Sequence, residues 1–269
     1  MAPAAQFPDG ILSIEIRDDG LLGDLKQVTS WPAASYAALD EPNRRLFVLS
    51  SLTGDQSSRL GSYAYDQEGM LRELGDETVE GREACHLCVD PLGRYVLSAH
   101  FSSGTLAVNP IDENGCPGRP KVLQVQGSGP HPRQNAPHPH MVVVSPDKKW
   151  VVTADLGTDE IATYNLDYDN GSLVRRQNPP ARIQAGGGAR HFVFHPSGSV
   201  FACGEIDSSV ATMAYDPATG TLRYRSHVTT LLDARRDGPA HCGAIRLSPD
   251  GRYLHVANRR RTCFFSKEI

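Results

Sequence analysis

Histidine, arginine and glutamate residues recur beside short runs of β-forming residues, at matching points of each run. His140 and Arg190 stand at the start of such runs, and Glu205 and Arg259 directly follow others. Imidazole and carboxylate groups can move protons, and guanidinium groups can hold an oxyanion in a bidentate manner. If the fold brings these runs together, the sequence predicts a titratable, cationic site for a small molecule.

The whole set falls at the starts of first strands and the ends of second strands. These two positions lie side by side when a tight turn joins antiparallel neighbours. Each histidine taken alone could equally cap a hairpin by hydrogen bonding to the backbone, but His140, Arg190 and Glu205 come from two adjacent units and are predicted to converge. The set contains His86, His138, His140, Arg190, His191 and His241 at strand starts, and His100, Asp155, Glu205, Asn258 and Arg259 at strand ends.

A repeated proline turn sets the positions of these runs. The turn prolines are spaced by 49, 55, 50 and 53 residues. Self-similarity at a period of roughly 40–50 residues is typical of a β-propeller, with one four-stranded blade per repeat. The turns are Glu41-Pro-Asn-Arg, Asp90-Pro-Leu-Gly-Arg, Ser145-Pro-Asp-Lys-Lys, His195-Pro-Ser-Gly-Ser and Ser248-Pro-Asp-Gly-Arg.

The unit that begins at His140 shows the predicted blade most clearly. Apolar runs begin at His140 and Trp150, an alternating run begins at Glu160, and a weaker fourth run surrounds Arg182-Ile-Gln. Valine, isoleucine and tyrosine suit a pleated surface, and the Pro, Gly, Asn and Asp between the runs suit tight turns. No stretch of ten or more residues has a helical period, so we expect an all-β fold with almost no helix.

The length accommodates about five blades of roughly 52 residues each. The chain opens at Gly10 with what reads as the third strand of a blade, and it stops at Ile269 in what should be another third strand. The sequence therefore predicts a single incomplete propeller array over residues 1–269, with partial first and last blades. We expect its open ends to expose apolar faces such as Val256-Ala and Phe264-Phe and to favour self-association.

Composition excludes several classes of partner. The net charge is −4 and the basic residues are scattered, which argues against nucleic-acid binding. No apolar run approaches the roughly 18 residues of a membrane span, and the first residues lack the pattern of a signal peptide. We therefore expect a cytoplasmic protein that binds neither nucleic acid nor membrane.

Six cysteines are spread irregularly along the chain. Cys85 and Cys88 have the spacing of a redox or metal pair, but residues three apart in a strand point to opposite faces. The chain has no second pair of this kind. We therefore expect free, structural thiols, as a reducing compartment favours.

Several longer motifs stand out beyond the repeated turns. They are Arg133-Gln-Asn-Ala-Pro-His-Pro-His, Ala154-Asp-Leu-Gly-Thr-Asp, Gly188-Ala-Arg-His-Phe-Val-Phe-His-Pro, Glu205 and Ile245-Arg-Leu-Ser-Pro-Asp-Gly-Arg-Tyr-Leu-His-Val-Ala-Asn-Arg. Together these motifs resemble the lactonase family of seven-bladed β-propellers, which includes 6-phosphogluconolactonases and the cycloisomerase that lactonises 3-carboxy-cis,cis-muconate. The likeness runs from about residue 10 to about 260, although Ala99-His-Phe stands where the family usually shows Ala-Asn-Tyr.

The resemblance implies a metal-free active site without a cofactor on one propeller face, acting on a small anionic lactone. It implies catalytic roles for His140, Arg190, Glu205 and Arg259. We add His86, His138, Asp155 and His191 as candidate substrate-binding residues at the same rim. Hydrolysis of a sugar-acid lactone is the favoured activity, and carboxymuconate cycloisomerisation and an inactive fragment or binding scaffold are the alternatives.

Opening a lactone requires a base that activates water, donors for the tetrahedral oxyanion and cations for the substrate's anionic group. His140 or Glu205 could be the base, and Arg190 and Arg259 offer planar forks for an oxyanion. Two further readings are weaker. His138 and His140, with Asp155, have a spacing that metal sites use, and the glycines at 186–188 could lend backbone N–H groups to an anion.

Overall fold

The computed structural model describes residues 10–51, 57–231, 241–259 and 263–269, and the fold is built almost entirely from β-strands. A single 3₁₀ turn, Glu41–Asn43, is the helical element of these described ranges. The prediction of an all-β propeller fold is confirmed.

The strands form six sheets in chain order. The first pairs two strands and the last three, while the four sheets between them have four or five strands each, ordered as antiparallel meanders. The sheets are β1 (Ile11–Ile16) and β2 (Leu22–Thr29); β3 (Ala34–Asp40), β4 (Arg45–Ser50), β5 (Ser58–Tyr65) and β6 (Leu71–Val79); β7 (Ala84–Val89), β8 (Tyr95–His100), β9 (Thr105–Pro110) and β10 (Lys121–Gln124); β11 (Pro139–Val144), β12 (Val151–Asp155), β13 (Glu160–Leu166), β14 (Leu173–Arg175) and β15 (Ala181–Arg182); β16 (Ala189–Phe194), β17 (Ser199–Gly204), β18 (Ser209–Asp216) and β19 (Thr221–Thr229); and β20 (Cys242–Leu247), β21 (Tyr253–Asn258) and β22 (Cys263–Glu268).

The proline turns join the first and second strands of each blade, as the sequence predicts. In the turn between β7 and β8, the buried Asp90 carboxylate accepts the backbone N–H groups of Leu92 and Arg94. Gly93 adopts a φ of 65°, which an L-residue with a side chain rarely adopts. The turn fixes the register of the pair, and the polar residues at the far ends of both strands are brought together as a result.

Apolar side chains pack between neighbouring blades. Met141 and Phe192 belong to one core shared by the blades that begin at β11 and β16. Phe47 and Leu87 belong to the corresponding core between the blades that begin at β3 and β7. Burial of these faces stabilises the array by roughly 25 cal/mol per Å² of apolar surface. The rims of the sheets remain available for polar groups.

The fourth strand of the blade that begins at β11 differs from the prediction. It is split into β14 and β15, which both pair with β13. Pro179 and Pro180 lie in the gap. Proline has no N–H group to donate to a ladder, so the strand is interrupted where the two prolines stand.

The prediction that the first and last sheets expose apolar side chains is confirmed only in part. Ile16 and Leu22 in the two-stranded sheet are 74 % and 59 % exposed. Val256, predicted to be exposed, is instead fully buried in a core with Phe201 and Ile245, because β20–β22 pack their inner face on the preceding blade. The side chain of Phe264 lies outside the described residues, and self-association of the chain stays a prediction.

Candidate functional site

The predicted convergence of Arg190 and Glu205 is confirmed. Ala189 in β16 pairs with Gly204 in β17. Arg190 and Glu205, which directly follow these two residues, therefore stand at the same rim. Arg190 Nε donates to Glu205 Oε2 at 2.9 Å. Because the two residues flank one antiparallel pair, the proline turn at the opposite end of the hairpin sets their separation.

Glu205 receives two further guanidinium groups from other parts of the array. Arg133, in the connection before β11, donates from Nη2 to Glu205 Oε1 at 2.6 Å. Arg259, directly after β21, places its Nη2 atom 2.5 Å from Glu205 Oε2. A single carboxylate therefore ties together three arginines that come from three different sheets or their connections.

Two opposing effects act on the Glu205 carboxyl, whose side chain is only 4 % exposed. Burial raises its pKa, but the hydrogen bond from Arg133 and the charges of Arg259 and Arg190 outweigh burial, so the pKa lies below its usual value. Glu205 is therefore a carboxylate at neutral pH and a weak proton acceptor. Its geometry suits the orientation of the guanidinium groups better than the activation of water.

His140 stands beside this cluster as a buried imidazole. Burial and the positive charge of Arg190 lower its pKa to about 3. Its Nδ1 atom is buried and has no hydrogen-bond partner within the described part of the chain. The buried Nδ1 atom does not meet solvent, but His140 also lines a cavity over the cluster, and a neutral imidazole can accept a proton through a ring nitrogen that meets water.

His86 and His191 extend the site toward the centre of the array. The His191 ring lies 5.2 Å from the His140 ring and 5.5 Å from the His86 ring, and His86 packs on Tyr36 at 4.2 Å between ring centroids. Burial, together with nearby positive charge and neighbouring imidazoles, lowers the pKa of both histidines, to about 3 for His86. They are neutral rings that pack beneath the cluster.

A cavity of about 250 Å³ opens over the cluster. Three of the predicted catalytic residues line it directly, whereas Arg190 contacts Glu205 and is not among the lining residues. His86, His138, Asp155 and His191 are not among the lining residues, and their proposed contact with substrate stays a prediction. The lining consists of Ser51, Glu83, Cys85, Phe101, Arg133, His140, Glu205 and Arg259.

His138 and Asp155 have clear local roles. Asp155 Oδ1 accepts the backbone N–H groups of His138, Gly157 and Thr158, which holds the β12–β13 turn against the start of β11. His138 stacks on Phe101 with ring centroids 4.4 Å apart, and its Nδ1 lies 2.9 Å from the carbonyl oxygen of Phe101. No cluster of three or more His, Cys, Asp or Glu suited to a metal ion occurs in the described ranges.

The glycines at 186–188 bind an anion that belongs to the protein itself. The backbone N–H groups of Gly186 and Gly188 donate to the Asp159 carboxylate, each at 2.7 Å. The loop therefore lends backbone N–H groups to an anion, and that anion is the side chain of Asp159. The contact ties the start of β16, and with it Arg190, to the preceding blade.

Sequence reasoning missed five residues that line the cavity: Ser51, Glu83, Cys85, Phe101 and Arg133. The signals were present, because Glu83 and Cys85 flank the start of β7, Phe101 follows the end of β8, and Arg133 opens the motif that ends at His140. Arg133 reaches Glu205 only because its long connection folds back, and strand periodicity carries no information about that path.

The described cysteines 85, 88, 116, 203 and 242 are free thiols, in agreement with the prediction for them. Cys85 and Cys88 lie in β7, and burial raises the pKa of each to about 12. Neither Cys85 nor Cys88 has the lowered pKa of a reactive cysteine.

His100, another residue of the predicted rim set, is fully buried. One of its ring nitrogens lies 2.9 Å from the hydroxyl of Ser98.

A larger groove of about 830 Å³ lies on the outer side of the array, between the split strand β14–β15 and β19. Its walls include Arg176, Arg182, Leu222 and Tyr224. None of the eight predicted site residues lines it. The groove therefore belongs to a different surface from the arginine cluster.

The family is evident from both sequence and structure. The family described as "Lactonase, 7-bladed beta-propeller" matches residues 4–265. The 6-phosphogluconolactonase of Bacillus subtilis strain 168 is 30 % identical over 255 residues, which cover 93 % of this chain and 71 % of that protein. The chain belongs to the seven-bladed β-propeller lactonase family.

Other relatives agree with this assignment. The 6-phosphogluconolactonase of Pectobacterium carotovorum strain PC1 is 30 % identical over 202 residues, or 75 % of this chain and 57 % of that protein. The structure of the periplasmic gluconolactonase PpgL of Pseudomonas aeruginosa superposes with a TM-score of 0.87 at 28 % identity, over 93 % of this chain and 72 % of that one.

Within the described residues, no helix has the length and apolar character that crossing a membrane requires.

Proposed function

We propose that this protein hydrolyses the lactone of a sugar acid that carries an anionic group, in the manner of a 6-phosphogluconolactonase. One observation carries the proposal: a buried glutamate holds three arginines beside a neutral histidine, at the wall of a cavity. The names of its relatives, 6-phosphogluconolactonase and gluconolactonase, support the same substrate class.

The arginines supply the electrostatic part of the proposed reaction. Arg190, only 14 % exposed, is the most buried of the three arginines. Its positive charge lowers the pKa of His140 more than that of Arg259 does. The fork of Arg259, which lines the cavity, is suited to the oxyanion that forms when water attacks the lactone carbonyl, while Arg190 donates to Glu205 and to the carbonyl oxygen of Gly243 and adds positive charge to the site. Loss of one such donor typically costs about 10²–10³ in rate, so the guanidinium groups carry a large share of catalysis.

His140 is the proposed general base. Its pKa of about 3 in the free protein reflects burial and the positive charge of Arg190. An anionic substrate offsets the arginine charge and raises the pKa of the imidazole when it binds. The base thus becomes effective when the lactone is in place, and a proton passes from water to His140 as the new C–O bond forms and the carbonyl becomes an oxyanion. Collapse of the oxyanion then breaks the ring C–O bond, and the proton passes from His140 to the departing ring oxygen.

Two other lining residues of the cavity favour a hydroxylated substrate over a polycarboxylate. Glu83 and Ser51 line the cavity together with the arginine cluster. Glu83 adopts a φ of 53° and accepts a hydrogen bond from Ser102 Oγ at 2.5 Å, so its carboxylate is held at the rim. A carboxylate accepts hydrogen bonds from sugar hydroxyls and repels the extra carboxylates of a carboxymuconate.

The test is an assay of the purified chain against 6-phosphogluconolactone and carboxymuconolactone, with spontaneous hydrolysis subtracted. We expect hydrolysis of the sugar lactone, and loss of about 10²–10⁴ in rate for His140→Gln, the range typical of a general base. His255→Gln, which alters an exposed histidine of β21, is the matched control. Turnover of the muconate compound alone would support the cycloisomerase, and turnover of neither would support a binding scaffold.

We also propose the cytoplasm as the compartment of this protein. Cys203 and Cys242 share one buried core as free thiols, which is the state that a reducing compartment maintains. The structural relative from Pseudomonas aeruginosa is named as periplasmic. Fractionation of cells that express the natural gene distinguishes the two locations, and recovery in a periplasmic fraction would refute the proposal.

A further inference from the structure

Arg133 differs from the other two arginines of the cluster in its origin. Arg190 belongs to β16 and Arg259 follows β21, whereas Arg133 lies in the connection of residues 125–138 between two blades. Its side chain is 40 % exposed and that of Arg259 is 49 % exposed, against 14 % for Arg190. Arg133 and Arg259 therefore both stand nearer to solvent than Arg190, and Arg133 is distinguished by the connection that carries it.

The guanidinium of Arg133 retains capacity for a ligand. An arginine has five N–H donors. Among the described residues, Arg133 Nη2 contacts Glu205 at 2.6 Å and Nη1 lies 3.4 Å from His241 Nδ1, a long contact. The Glu205 contact orients the planar group in the cavity wall, and its exposed edge can take the two oxygens of a phosphate.

The connection that carries Arg133 is built to hold it in place. Gln134 is fully buried, and its Nε2 donates to Leu156 O at 2.8 Å and to Asp159 Oδ1 at 2.6 Å. Gln134 Oε1 in turn accepts the backbone N–H of His131 at 3.0 Å. The segment also passes so close to Gly157 that a Cβ there would lie 1.9 Å from Ala136 O.

From these contacts we infer that Arg133 is a specificity-determining residue that binds the phosphate of the substrate, and that Gln134 is its positioning residue. The inference rests on the proposed function for the identity of the substrate. Arg259, with the charge of Arg190, serves the reacting centre, and Arg133 serves the distal anion. Arg133 thus separates phosphorylated from unphosphorylated lactones.

The first experiment compares Arg133→Gln with wild type on 6-phosphogluconolactone and on glucono-1,5-lactone, which lacks the phosphate. We expect KM for the phosphorylated lactone to rise at least tenfold with kcat within threefold, and kcat/KM for glucono-1,5-lactone to change less than threefold. Equal losses on both substrates, or no loss on either, would overturn the inference.

Arg182→Gln is the matched control, because Arg182 is also an exposed arginine that pairs with one oxygen of a buried glutamate, Glu160. It lies on the outer groove, away from the cavity. We expect its kinetic constants to equal those of wild type. Gln134→Leu should raise KM for the phosphorylated lactone alone, in a protein whose melting temperature is measured in parallel, and an equal loss on both lactones would contradict the positioning role.

A second measurement does not depend on activity. Calorimetric titration with 6-phosphogluconate, at low salt, should show binding to wild type and at least tenfold weaker binding to Arg133→Gln. This result would support the inference even if the chain hydrolyses no lactone, so the two proposals can fail separately. Equal affinity of both proteins, or no binding by wild type, would overturn the role of Arg133.

Discussion

Two buried glutamates in this protein each hold more than one arginine, in different surroundings. Glu160 begins β13 and accepts Arg175 at 2.6 Å and Arg182 at 2.5 Å. Both arginines belong to the outer strands of the same blade, and Arg182 is the direct cross-strand partner of Glu160. Glu205 instead gathers arginines from separate parts of the array, and its contacts face a cavity.

The difference shows that glutamate–arginine pairs can have a structural role at one place in the protein and a substrate-binding role at another. At Glu160 the pairs lie within one sheet and fasten the two pieces of the split outer strand to β13. At Glu205 three guanidinium groups, against two at Glu160, share one carboxylate, and this larger surplus of positive charge beside the cavity attracts an anion. We assign structure to the Glu160 cluster and substrate chemistry to the Glu205 cluster, and variants can test this division.

The largest effect is expected for Glu205→Gln, which leaves three arginines close together without their counter-ion. We expect a loss of about 2–3 kcal/mol of unfolding free energy, below the 3–5 kcal/mol typical of a fully buried pair because two of the arginines are half-exposed. Lactonase activity should fall by about 10²–10³ as the forks lose their orientation. Glu160→Gln should lower stability only. Urea unfolding and initial rates measure both, and a comparable loss of activity in Glu160→Gln would break the division.

Arg190→Lys should lower kcat/KM by about 100-fold while the melting temperature changes little. Lysine keeps the charge but lacks the planar group that bonds Glu205 and the carbonyl oxygen of Gly243 at the same time, so the arginine cluster loses its arrangement. Arg175→Lys makes the same change at Glu160 and should leave kcat/KM unaltered. Wild-type turnover in Arg190→Lys would remove this residue from the proposed chemistry.

The buried histidines on the inner side of the blades should also make the stability of the protein sensitive to acid. Burial and nearby positive charge lower the pKa of His86 and His140 to about 3 and burial alone lowers that of His100 to about 4, so the unfolded chain binds more protons than the folded one below about pH 6.5. The contribution of these neutral histidines to the free energy of unfolding is therefore fully present above about pH 6.5, and it is lost as the pH falls toward the pKa values of the folded protein.

His86→Phe should flatten this profile, because phenylalanine packs on Tyr36 without a group that must stay neutral. Each such histidine accounts for up to about 1.4 kcal/mol per pH unit within the window. Urea midpoints at pH 7.5 and 5.0 of wild type and His86→Phe provide the comparison. An unchanged acid sensitivity in His86→Phe would show that other groups dominate.

The smallest effect is expected for Arg182→Gln. Its side chain is 62 % exposed, and pairs of this kind contribute about 0.2–1 kcal/mol. Activity and KM should match wild type. A tenfold change in KM for a phosphorylated lactone would show that the outer groove, rather than the cavity, recognises the substrate.

Much of the architecture followed from local patterns. The proline turns, the alternating runs and the spacing of the repeats predicted hairpins, blades and the shared rim, because turn chemistry and the period of two act between residues that are close in sequence. Arg190 and Glu205 were predictable for this reason, since one hairpin register joins them. The split of the outer strand at Pro179 was missed, although proline in a strand is a local signal that favoured it.

The remaining part of the site depended on long-range packing. Nothing in the sequence around Arg133 indicates that Gln134 anchors its connection on Asp159, or that the guanidinium reaches a carboxylate 72 residues away. The pKa values of His86, His140 and Glu205 likewise depend on burial and on charges from other blades. Sequence alone determined the repeat, the hairpins and the family. The tertiary structure decided which polar ends share one cavity, because electrostatic interaction depends on distance in space and burial, and not on separation along the chain.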